Sequence, residues 1–217
     1  MSNFSFRILS NSWLKTLLLL FFTACNTQSG DQTYVEAKNL YSEEDYEGSR
    51  VLFKKAIKMG LEEYAETEAY TYLGNTYSEL GQYDSGKIMY DQALEIDSSY
   101  VDAWVNMGID YRKQGDYEEA NKCYQLAMIY DPRDPELYVS LGALNIYQGK
   151  VEDAVKNLEF AIELNPQIPT AHANYALALA MSGEFVRAEY EIKTAVAQGY
   201  QNGEVIKNRI EELKKLE

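Results

Sequence analysis

Apolar residues recur at helical spacing along most of the chain, in paired runs that break and restart at a constant interval. Gly74, Gly108 and Gly142 stand 34 residues apart, with Ala176 one step further on. Gly81, Gly115, Gly149 and Gly183 keep that step, and so do Ala93, Ala127, Ala161 and Ala195. Three ladders with one period define an internal repeat, and the pattern within each unit predicts two amphipathic helices. Gly81 and its three counterparts read as glycine caps that end the first helix. Asp131-Pro132 and Asn165-Pro166 break the chain before the next unit begins. The units fall at 67–100, 101–134, 135–168 and 169–202. A degenerate unit is expected over 30–66, because Tyr46, Phe53 and Ala56 lie 37 residues before Tyr83, Tyr90 and Ala93. Its three extra residues fall near Met59-Gly60-Leu61. In the tail 203–217, Ile206, Ile210 and Leu213 share one stripe with Glu and Lys opposite, the pattern of a helix that closes a stack.

Within the third unit the spacing Trp104-x-x-Met107-Gly108-x-x-Tyr111, followed by Ala120, Tyr124, Ala127 and Pro132, resembles the tetratricopeptide repeat signature. Tyr70-x-x-Leu73-Gly74-x-x-Tyr77 and Tyr138-x-x-Leu141-Gly142 match it as well. Gly86, Ser98 and His172 depart from it, standing where a small Ala, a Pro and an aromatic are usual. The resemblance implies an all-α fold: a right-handed α-solenoid of tetratricopeptide helix pairs with a C-terminal capping helix. It also accounts for much of the tyrosine excess, 19 Tyr against 7 Phe, as packing between neighbouring helices.

The first 24 residues are unlike the rest. Arg7 and Lys15 are their only charges, and the run Leu17 to Phe22 leads into the small residues Thr23 and Ala24. A positive start, a short apolar stretch and small residues at its end are the parts of an export signal. The apolar stretch is shorter than the roughly 20 residues of a spanning helix. Phe22-Thr23-Ala24-Cys25 resembles the lipobox of bacterial lipoprotein precursors, which implies a lipidated Cys25 at the start of the mature chain. Residues 25–32 read as a polar tether, whose seven residues after the cysteine reach roughly 25 Å fully extended. The expected address is the bacterial cell envelope, outside the cytoplasm, with a lipid anchor in a membrane (the outer membrane in a Gram-negative cell). A cleaved signal with an incidental cysteine is the alternative.

Charge and composition narrow the function. Acidic residues outnumber basic ones 34 to 20, for a formal charge of −14, so a nucleic-acid backbone would be repelled. One histidine and two cysteines supply neither a multi-histidine metal site nor a disulfide framework. The glycines follow the repeat and form no phosphate loop. His172 is read as a packing residue, Cys123 as a helix thiol without an activating base, and Glu43-Glu44-Asp45 as a solvated turn. No catalytic residue, metal, cofactor or small-molecule substrate is expected.

What remains is a surface. The tetratricopeptide resemblance implies that first helices line a concave groove, with Thr71, Asn75 and Ser78 on it in the second unit. Val105, Asn106, Ile109 and Arg112 follow, then Val139, Ala143 and Ile146, then Ala173 and Leu177. On this placement the groove begins polar and becomes an exposed apolar strip. Asn75 and Asn106 match two asparagines with which some family members clamp a peptide carboxylate, whereas Thr71, Glu136 and Ser140 stand where the clamp has cations. The expected function is therefore an envelope scaffold that holds a peptide or helix segment of a protein partner, a build that resembles pilotins and other assembly factors. A self-associating structural protein and a non-catalytic accessory subunit are the alternatives.

Overall fold

A computed structural model of the chain describes residues 29–216. The segment read as an export signal and Cys25 lie outside the described residues. Among those described, there are eleven helices and no strand: α1 (Gly30–Ser42), α2 (Tyr46–Met59), α3 (Glu66–Glu79), α4 (Tyr83–Ile96), α5 (Val101–Lys113), α6 (Tyr117–Tyr130), α7 (Pro135–Tyr147), α8 (Val151–Leu164), α9 (Pro169–Met181), α10 (Phe185–Ala197) and α11 (Gly203–Lys214). None is long and apolar enough to cross a membrane.

Local chemistry sets the helix ends. Asp45, Asp116 and Asp134 accept hydrogen bonds from backbone N–H groups in the first turns of α2, α6 and α7. Pro135 and Pro169 occupy first turns, where no N–H is needed. After α3, α5, α7 and α9, Gly81, Gly115, Gly149 and Gly183 adopt φ between 70° and 84°. The following N–H then reaches the carbonyl five residues back, as Asp116 does to Tyr111 and Lys150 to Asn145. That closes each first helix in a Schellman motif. The first pair makes the same turn with Glu44 at φ 64°, and Asp45 N–H bonds the Leu40 carbonyl.

The helix at the N-terminal end corrects one expectation. Gly30, Asp31 and Gln32, read as tether, form the first turn of α1. Ser29 and Gln32 make a reciprocal capping box, and the Asp31 carboxylate accepts from the backbone N–H groups of Glu62 and Glu63. A polar composition hid these caps, because capping residues and tether residues are the same types.

Within each pair a close crossing explains the small residues. A Cβ on Gly74 would lie 2.5 Å from the Tyr90 ring, one on Gly108 2.4 Å from Tyr124, and one on Gly142 2.4 Å from Leu158. Tyr90, Tyr124 and Leu158 are buried on those glycines, and in the fifth pair Ile192 shares a cluster with Ala176. Successive first helices (α3 with α5, α5 with α7, α7 with α9) pack closely, whereas successive second helices stand further apart and meet only through long side chains such as Arg187 and Glu159. The stack therefore curves with first helices on its inner side. α11 packs on both α9 and α10, burying Ile210 where a further first helix would otherwise lie.

Candidate partner-binding groove

Of the residues expected to line the groove, four are not available. Val105 and Val139 are 6% and 7% exposed, and Ala143 and Ala173 are buried with them. Val105 joins a cluster with Tyr124 and Leu137, Val139 one with Ala161 and Ile168, and Ala173 one with Leu158 and Leu179. The strip is corrected for a geometric reason: first helices that pack side by side on the inner face close over their own apolar positions. Ile109, Ile146 and Leu177 are half-buried, the first two packed against those clusters. The Arg112 guanidinium lies over the Tyr147 ring, 5.2 Å from its centroid.

The opening on the inner face is polar and lies further toward the N-terminus. Glu68, Thr71, Tyr72 and Asn75 of α3, Asp102 and Asn106 of α5, and Tyr100 between α4 and α5 line a cavity of about 330 Å³. Asn75 and Asn106, expected in the groove, do meet there. Asn75 is partly committed, since its Oδ1 accepts from the Tyr90 hydroxyl at 2.9 Å. Its amide and that of Asn106 face the cavity with two carboxylates and two tyrosines.

Repetition also brings together carboxylates that the sequence reading passed over. Glu68, Asp102 and Glu136 share one position in the first helices of three consecutive pairs. Burial raises Glu136 above its ordinary pKa even though it is solvent-exposed, with the Asp134 and Asp102 charges adding to the effect. Asp134 is likewise raised, by burial and then by Asp102 and Asp131 against its backbone bonds. An exposed side chain with protein on most sides is what a concavity produces. The signal that could have found this ladder was present: it keeps the same 34-residue step as the glycines.

The remaining chemistry is structural. His172 is buried, with Nδ1 2.6 Å from Glu191 and Nε2 3.0 Å from the Pro166 carbonyl. Trp104 Nε1 donates to the Ser98 carbonyl and the Tyr138 hydroxyl to that of Pro132, each again six residues upstream. Trp, Tyr and His thus perform one task, tying the turn between pairs. Cys123 is buried and its thiol is pushed up to about 11 by desolvation, away from thiolate chemistry. Asp110 is buried between α3 and α4: Ser78 donates to one carboxylate oxygen, and Oδ2 has no hydrogen-bond partner. A Cβ on Gly86 would come within 3.3 Å of that oxygen, so the departure at Gly86 leaves room for Asp110. No group of three or more metal-binding side chains occurs among the described residues.

A curved stack of helix hairpins with a polar cavity on its inner face defines a helical-repeat interaction module. Family profiles described as tetratricopeptide repeat match residues 67–100, 101–134 and 146–202, together more than half of the chain. The chain belongs to the tetratricopeptide repeat family. A comparison with curated protein sequences gives no match. Among solved structures it is similar to TTC0263, a thermophilic TPR protein of Thermus thermophilus, at 18% identity and TM-score 0.72, covering 85% of this chain and 98% of that one. It is also similar to Pseudomonas aeruginosa pilF, at 20% identity and TM-score 0.66, covering 86% and 84%. The APC/C hetero-tetramer Cut9-Hcn1 is similar at 14% identity and TM-score 0.75, with 92% of this chain on 39% of that one. At these identities the likeness is one of fold.

Proposed function

We propose that the protein is a membrane-anchored scaffold of the bacterial cell envelope that holds a segment of a protein partner on its concave face. Tetratricopeptide repeats are protein-interaction modules, and the observation that carries the reading is the polar cavity across α3 and α5. It opens on the inner side, where two side-chain amides, two carboxylates and two tyrosines converge, with the carboxylates Glu68 and Asp102 in repeat register. Such a mixture of few polar groups with aromatic walls suits an extended backbone. The envelope address rests on the lipobox-like Phe22-Thr23-Ala24-Cys25. Two acyl chains or more would hold the chain stably at a bilayer.

Two measurements test this. A photo-crosslinking amino acid at Asn106 should capture a partner in intact cells, while one at Ile129 on the outer face of α6 should not. Capture from Ile129 alone would move the site to the convex side. Separately, Cys25→Ser should abolish fatty-acid labelling and release the protein from membranes. An unlabelled wild type, with the variant still in the membrane fraction, would remove the lipid anchor from the proposal.

A further inference from the structure

The geometry points to a basic, extended segment of a partner protein as the occupant of this groove, with a Lys or Arg side chain seated between Asp102 and Glu136. The inference rests on the groove reading above and adds the chemistry of what enters it. Glu68, Asp102 and Glu136 form a row of carboxylates along the inner face, one per repeat. The first rung is filled from within the chain. Lys38 Nζ lies 3.1 Å from Glu68 Oε1, 4.6 Å from the centroid of the Tyr72 ring and 5.5 Å from that of Tyr34. A carboxylate with flanking tyrosine faces is a seat for an ammonium. The second rung has a carboxylate, Asp102, with Tyr100 beside it, and no Lys or Arg among the described residues pairs with Asp102, Asp134 or Glu136. The wall holds its own cation at one rung and leaves the next two without one.

The first rung is also closed from beneath. Tyr34 is 0% exposed and stands against Glu68 and Tyr72, so that rung is filled by the chain's own groups. Spacing adds a register. Packed helices lie about 8–10 Å apart, and three residues of polyproline II rise about 9.3 Å with the first and fourth side chains on one face. The expected segment therefore carries Lys or Arg at every third position. The protein's formal charge of −14 favours encounter with such a segment and repels an acidic one.

The probe is a fluorescein-labelled peptide of four Lys-Pro-Ala repeats, titrated with the full-length chain and followed by anisotropy. Matched peptides carry Gln or Glu in place of Lys. The basic peptide should bind, the Gln peptide at least tenfold more weakly and the Glu peptide not at all. Binding should weaken as salt rises. Asp102→Asn with Glu136→Gln should lose at least tenfold, whereas Glu152→Gln with Glu163→Gln, on the outer helix α8, should change affinity less than twofold. Equal losses in both double variants would reduce the effect to bulk charge and overturn the proposal. So would a Gln peptide that binds as tightly as the Lys peptide, or a basic peptide that does not bind. Sequencing the segment captured from Asn106 separates the two claims. A captured neutral or acidic segment leaves the groove in place and removes the cationic occupant, and capture only from the outer face removes the groove itself.

Discussion

Asp110 is the residue where burial and charge conflict most directly. Desolvation raises its pKa to about 6, opposed by the Ser78 hydrogen bond and by Lys113, and reinforced by Glu79. The unfolded chain releases this proton near the ordinary value of about 3.9. Between that value and about 6 the folded state binds more protons than the unfolded one, so stability falls as pH rises through the window and is level above it. The cost at neutral pH is roughly 2–3 kcal/mol. Asp110→Asn should remove much of that cost and keep an acceptor for Ser78, raising the melting temperature at pH 7.5 and flattening its change between pH 4 and 7. A variant that melts lower than wild type at pH 7.5 would show that the anion is stabilising there. Glu44 presents a backbone conflict. It holds the left-handed position that glycine holds in the four following pairs. Glu44→Gly should stabilise the chain by about 0.5–1 kcal/mol in urea unfolding, and a loss of stability would mean that the Glu44 side chain matters more than its φ.

At the scale of the element, the turns between pairs depend on a polar tip at one helix position. His172→Phe keeps the ring but leaves Glu191, only 16% exposed, without its partner. A loss of about 1–3 kcal/mol is expected, since a buried polar group left unpaired carries its full desolvation penalty. His172→Tyr imitates the fourth pair, in which the Tyr138 hydroxyl reaches the Pro132 carbonyl, and should lose less. Calorimetry of the two variants orders them, and equal melting points would argue that the tie contributes nothing. The closing helix depends on apolar packing. Ile210 is 1% exposed within the cluster that joins α8, α9, α10 and α11. Ile210→Ala should cost about 2–4 kcal/mol and loosen α11 first, seen as early amide exchange in 203–214. Uniform exchange along the chain would instead describe a stack without a separable end.

Across the whole molecule, two features follow from linear construction. Each helix pair touches only its neighbours, so stability is a sum of pairs and interfaces. A large negative charge is spread over that length, with most acidic side chains exposed. Self-repulsion in such a body is screened by salt. Raising sodium chloride from about 20 mM to a few hundred millimolar should lift the melting temperature by roughly 2–4 °C, the shift that about 1 kcal/mol produces in a chain of this size. The same change should weaken any interaction with a basic segment. A chain whose melting temperature falls with salt would be held by ion pairs such as Lys38–Glu68 more than it is strained by repulsion.

Repeat number, helix pairing and the glycine turns were legible in the amino-acid sequence because their causes are local. A 34-residue period, a Gly that suits positive φ without strain and a small residue under each large side chain of the second helix are all read from neighbours in the chain. The packing role of His172 was legible too, because its position in the repeat is that of Trp104 and Tyr138. Which inner positions remain open was not legible. Val105, Val139, Ala143 and Ala173 sit on the groove side of the helical pattern, and only the approach of adjacent first helices covers them. The anchoring of the first turn of α1 also lay outside reach, since Asp31 finds its partners 31 and 32 residues away at Glu62 and Glu63. The opening itself, with Tyr34 of the first pair beneath it, Glu68 from the second and Asp102 from the third, exists only once three pairs are stacked. A period determines what repeats, and the distance between neighbouring helices decides what stays exposed.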